Sequence, residues 1–152
     1  MDKTYQVFTS LILNISRCVQ KIKNAEVAGI GMKGKHVQCL YFLQQDSNGL
    51  SLKQLCHLCD EDKGAMSRTV KELMAMNLVY VAEQSTQKYR NPIRLTEEGK
   101  ANADIVMEKI GQMVTTGGIG LTDPEREVFY KVLTQISNNL TKVCKTYGEK
   151  DD

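Results

Sequence analysis

No apolar run in the 152 residues is longer than five, the longest being Cys39–Leu43 and Leu78–Ala82. A helix crossing a bilayer needs roughly twenty such residues, so the chain is not expected to span a membrane. The start, Met1-Asp2-Lys3-Thr4, lacks both the apolar stretch and the small-residue cleavage site of a secretory signal. Histidine is scarce, with only His36 and His57, and nothing like a Ser-His-Asp set, a carboxylate pair or a phosphate-binding loop surrounds either. The Gly29–Gly31 and Gly117–Gly120 stretches lack the strand-turn-helix context of a dinucleotide site. An enzyme is therefore not expected, nor a cofactor. Charge of one sign is also lacking: 20 Lys and Arg stand against 18 Asp and Glu, net +2. Any nucleic-acid surface must then be a local arrangement. The cysteines number five, so they cannot all pair within the chain. Reduced thiols in a cytoplasmic protein are the default expectation.

With 41% hydrophobic and 25% charged residues, what remains is an ordinary globular composition of one-domain length. Phe8, Leu11, Ile12, Ile15, Val19 and Ile22 recur at three- and four-residue spacing and predict a helix from Tyr5 to about Lys23. A second helix is expected from about Lys33 to Gln45, with Val37, Leu40, Tyr41 and Phe42 inward. Asp46–Gly49 reads as a turn. Ser51 and Gln54 then form a capping box, opening a short helix with Leu52, Leu55, Cys56 and Cys59 on its apolar side. After the acidic bend Asp60-Glu61-Asp62, Asp62 is placed to cap a helix from Lys63 to about Met76. That helix is expected to bury Met66, Val70, Leu73 and Met74.

Two strand-like runs follow, Val79–Val81 and Ile93–Leu95. Pro92, which cannot donate to a ladder, suits the second to an edge. Thr96 caps a helix from Glu97 to about Val114 that carries Ala101, Ile105, Val106 and Ile110. Thr122 and Glu125 form a second capping box before a final helix with Val128, Phe129, Val132, Leu133, Ile136 and Leu140. The fold class is mainly α: helix, helix, helix-turn-helix, two-stranded wing, helix, helix.

Two short helices across a tight bend, followed by a small hairpin, suit DNA readout, because an α-helix fits the major groove. A reader helix needs cationic and polar groups near its N-terminus and an apolar opposite face. Lys63, Ser67, Arg68 and Lys71 against Met66, Val70 and Leu73 meet both needs. Arg68 offers a bidentate fork to guanine, and Lys63 and Lys71 suit phosphates. Lys88 and Arg90 at the wing would reach the adjacent backbone or minor groove.

Leu50–Leu55, Met66–Leu73 and Asn77-Leu78-Val79 resemble the MarR family of bacterial transcriptional regulators. Ile93-Arg94-Leu95-Thr96-Glu97-Glu98-Gly99 is similar to that family's strand-to-helix signature and is the most specific match, and Leu121–Glu127 resembles the start of its last helix. The resemblance implies an intertwined homodimer reading a pseudo-palindrome on double-stranded DNA, as a repressor released by a small aromatic or acidic effector. It divides a single 1–152 domain into dimerisation helices (1–32 and 101–152) and a DNA-binding lobe (33–100). The wing departs from the pattern: where the family has an Asp followed by two Arg, this chain has Gln87-Lys88-Tyr89-Arg90. Asn77 stands where the family favours Gly, a position where Asn also tolerates a left-handed backbone.

Two other readings use the same residues. One is a winged-helix protein-interaction module without DNA. The other is a thiol- or metal-responsive regulator using Cys18 or the Cys56/Cys59 pair. Cys-x-x-Cys without a second ligand pair falls short of a structural zinc site, so core packing is the expectation for Cys56 and Cys59 and no metal is expected. Met74, Met76, Met107 and Met113, at helical spacing, are read as core rather than as a ligand cavity.

Overall fold

The computed structural model describes residues 3–83 and 90–148. Among the described residues, six helices and two strands follow in the expected order: α1 (Lys3–Ala28), α2 (Gly34–Gln45), α3 (Leu52–Cys59), α4 (Lys63–Ala75), β1 (Val79–Val81), β2 (Ile93–Leu95), α5 (Glu97–Gly117) and α6 (Asp123–Gly148). Contacts divide the chain into two units, Met1–Met113 and Val114–Asp152.

Local chemistry sets the boundaries in the first unit. Ser51 Oγ accepts from the Gln54 N–H at 3.2 Å while Gln54 Oε1 accepts from the Ser51 N–H at 2.8 Å, a complete capping box. Asp62 Oδ1 accepts from the Ala65 N–H at 2.8 Å and opens α4. Asp60 ends α3 in the left-handed region (φ 52°), and Asn77 follows α4 there at φ 58°. Both are short polar side chains that adopt this conformation more readily than most.

β1 and β2 pair antiparallel, with Tyr80 opposite Arg94. The edge expectation for the second run needs correcting. Ile93 also exchanges two backbone hydrogen bonds with Leu50 (3.1 and 2.8 Å), so β2 is bonded on both sides. Pro92 is tolerated because its carbonyl accepts from Ala82 and its missing N–H lies outside that exchange.

One core holds the first unit, built from Val27, Met32, α2, α3, α4, both strands and α5. Its most enclosed large side chains include Leu40, Leu55, Met66 and Leu73. Thr96 Oγ accepts from the Gly99 N–H at 2.9 Å, and its own hydroxyl donates to the Asn77 carbonyl at 2.6 Å. A Cβ on Gly99 would lie 1.9 Å from the Leu78 carbonyl oxygen. This is the physical content of the Thr-Glu-Glu-Gly signature: the start of α5 crosses the Leu78 backbone at a distance only glycine permits.

Two inward faces differ from expectation. Tyr41 is exposed, and His36, Cys39 and Leu43 join Val37 and Leu40 inside. The apolar run Leu40–Leu43 supports two phases of the helical wheel, and the one that buries Leu43 wins. Met74 is likewise exposed while Thr69 is buried, its hydroxyl satisfied by the Ala65 carbonyl at 3.1 Å. Met76 and Met107 pack against the core as expected.

In the second unit, Arg126 Nη2 donates to the Gly118 and Leu121 carbonyls and holds the turn before α6. The expected capping box there is half formed. Glu125 Oε2 accepts from both the Thr122 N–H and hydroxyl at 2.8 Å, so the hydroxyl is spent on the carboxylate instead of on the helix.

Candidate nucleic-acid interface

At 100° per residue, Lys63, Ser67, Lys71, Gly64 and Arg68 fall within a sector of about 140° on α4. Lys63, Arg68 and Lys71 are exposed and Ser67 is half-buried. Met66, Thr69, Val70 and Leu73 on the other side are buried. The four candidates expected on this helix thus share one solvent-facing strip, anchored from behind. Arg68 turns back along the helix, and a Cβ on Gly64 would meet its Nη1 at 3.6 Å. The guanidinium thus lies beside the first turn of α4, whose N–H groups point outward with the positive end of the helix dipole.

Arg90 is exposed just before Pro92 and β2; Lys88 lies outside the described residues. At the base of the wing, Arg94 Nε donates to the Asn48 carbonyl at 2.9 Å.

A side-chain cluster that the sequence did not announce flanks this strip. Glu72, the sole acid within α4, faces two residues of α2. Lys35 Nζ lies 2.9 and 2.8 Å from its two oxygens, and His36 Nε2 lies 2.6 Å from Oε2. Hydrogen bonds from Lys35 and then His36 hold the Glu72 carboxyl down to about 2. His36 and Glu72 are 36 positions apart, so no local pattern pairs them.

The thiols divide by burial. Cys59 is buried and Cys56 packs half-buried against the core, as expected of small apolar side chains. Burial pushes the Cys59 thiol up to about 11, with Glu61 and Cys56 adding to it; burial and then Cys59 push Cys39 up to about 12. Thiols held protonated are poor nucleophiles and metal ligands. Among the described residues no group of three or more His, Cys, Asp or Glu side chains is placed to hold a metal ion. Cys18 is exposed on α1. No helix among the described residues is long and apolar enough to cross a membrane.

No protein family's sequence pattern matches the chain, and no curated protein matches it in sequence. Solved structures do match. The transcriptional regulator SlyA superposes with a TM-score of 0.82 at 19% identity, over 92% of this chain and 98% of that one. Staphylococcus aureus MarR, in complex with salicylate and kanamycin, gives 0.82 at 18%, over 93% and 95%. A MarR family protein from Bacillus stearothermophilus gives 0.79 at 18%, over 93% and 99%. These neighbours are regulators rather than enzymes, and at such identities the likeness speaks to architecture. The chain has the winged helix-turn-helix fold of the MarR-family transcriptional regulators.

Proposed function

We propose that this protein is a MarR-family transcriptional regulator that binds double-stranded DNA as a homodimer, with α4 in the major groove. The observation that carries the reading is the strip on α4: three exposed cations and Ser67 on one side, a closed apolar side behind. Arg68 reads a base edge; Lys63 and Lys71 neutralise phosphates and set the salt dependence. Arg90 and Lys88 contribute from the wing. The operator is pseudo-palindromic, with half-sites about one helical turn, roughly 10 base pairs, apart, and the protein acts as a repressor.

Segments 1–32 and 101–152 supply the dimer contacts around the 33–100 lobe. Supporting this, Leu11, Ile12 and Ile15 on α1 are exposed, as are Val128, Phe129, Val132 and Leu140 on α6. Apolar stripes of this length call for a partner surface.

Release follows binding of a small aromatic or acidic effector. One neighbour was solved with salicylate. In this chain an apolar crevice between α1, α2 and α5 measures about 10 Å³ and is lined by Val27, Val37, Ile110 and Met113, so Met113 does face a small cavity. Lys109 and Glu26 pair at 2.7 Å beside it. The space is that of about one water, so an aromatic acid enters only by parting these helices. Its differential affinity for the parted state would shift the population.

The test is binding to duplexes enriched from a randomised pool. Arg68→Ala is expected to weaken binding by ~1–3 kcal/mol, and Lys71→Ala to lower the salt slope by about one. Unchanged binding in both variants would favour the DNA-free interaction module. A stable monomer at micromolar concentration in the ultracentrifuge would count against the dimer.

A further inference from the structure

We propose that His36 is a positioning residue for the reader helix: through Glu72 it fixes the rotation of α4 and so the aim of Arg68 and Lys71, without touching DNA itself. The inference rests on α4 being the DNA-reading helix.

His36 is 3% exposed and both of its ring nitrogens are engaged. Nδ1 lies 3.0 Å from the Lys33 backbone N–H. A backbone N–H only donates, so Nδ1 is the acceptor and the ring proton sits on Nε2. That N–H donates to Glu72 Oε2 across 2.6 Å, a short, charge-assisted bond. One imidazole thereby joins the first turn of α2 to the outer edge of α4.

The position of Glu72 gives this bond its consequence. It follows Lys71 directly and lies one turn beyond Arg68, at the margin of the cationic strip. On the opposite side, Met66, Val70 and Leu73 hold α4 by apolar contact, which sets how deep the helix sits but is non-directional. The hydrogen bonds from α2 to Glu72, the shortest of them from the buried His36, add a directional restraint on rotation about the helix axis. Lys35, straddling both oxygens, offsets the one negative charge on a helix meant to approach phosphates.

The two functions of the ring separate by substitution, because an Asn amide reaches where Nδ1 does and a Gln amide where Nε2 does. His36→Asn keeps the acceptor for Lys33 and loses Glu72; His36→Gln keeps the donor to Glu72. Two readouts are taken on the full chain: amide hydrogen exchange along α4, and affinity for a duplex enriched by the parent protein from a randomised pool. For a hydrogen bond to a charged group, His36→Asn is expected to speed α4 exchange and weaken DNA binding by about tenfold or more each. His36→Gln stays near the parent in both. Equal behaviour of the two variants, or the reverse order, would overturn the proposal, since a residue serving only to cap α2 gives that result. Glu72→Ala, at a half-exposed position, covers the case in which the His36 variants do not fold. In amide exchange, where the lost carboxylate charge plays no part, it should match or exceed His36→Asn, and parent-like exchange in it would equally overturn the proposal. If the parent protein enriches no duplex, the DNA reading falls, and the exchange comparison alone decides the His36–Glu72 coupling.

Discussion

The lobe around α4 and the terminal helices solve the problem of apolar surface in opposite ways. Between Val27 and Val106 the chain closes one core, with Leu40, Leu55 and Leu73 fully enclosed. Along α1 only Val27 is buried, and among the described residues α6 contributes no buried side chain. Both long helices nevertheless carry stripes as apolar as those of the lobe. Side chains enclosed within the lobe need no further cover, whereas the exposed apolar stripes call for a partner surface. On the proposed function, specificity and assembly would fall to different stretches of one sequence.

Substitutions in each region can break that contrast. The largest effect is expected from Gly99→Ala, whose methyl would meet the Leu78 backbone rather than a side chain able to yield. It should cost the lobe ~3 kcal/mol, read as a drop in the urea midpoint at unchanged slope. Phe129→Glu should leave the lobe folded by circular dichroism and weaken self-association by at least ~2 kcal/mol, seen as a concentration-dependent monomer in sedimentation. Parent-like sedimentation would remove α6 from the interface.

A smaller effect lies at Glu72. Its carboxyl is held down to about 2 against an ordinary 4.5, so the charged form is the one the folded state favours. Its contribution is complete above about pH 4.5 and is lost as the pH falls toward 2. The stability difference between the parent and Glu72→Gln should therefore shrink across that window in urea melts. The smallest change is expected from Gly64→Ala, which should move stability by less than ~1 kcal/mol. Its methyl would press on the capping Asp62 Oδ1 at 3.2 Å and only touch Arg68 at 3.6 Å, so DNA binding should change by less than in Arg68→Ala.

What could be read in advance follows the range of the forces involved. The caps at Ser51 and Asp62 and the left-handed Asn77 depend on neighbours within a few residues, and each stands as the sequence suggested. The cationic strip of α4 was legible for the same reason, since helical spacing alone puts Lys63, Ser67, Arg68 and Lys71 together. Tyr41 and Met74 were misplaced because a wheel with apolar residues on adjacent faces has two plausible phases. The packing of α3, α4 and β2 around α2 decides between them. The bond from His36 to Glu72 had no local signature, being a product of how α2 meets α4. At Thr122 the composition of a capping box was present, but the hydroxyl found the carboxylate before it found the helix.

The wing's second strand is stitched to Leu50 on the side away from β1, and Arg94 reaches the Asn48 carbonyl one turn earlier. Ser51, the next residue, already caps the helix-turn-helix. β2 and the start of the helix-turn-helix are therefore tied by backbone hydrogen bonds, so a substitution that loosens the Ile93–Leu50 exchange would loosen the anchoring of α3 with it.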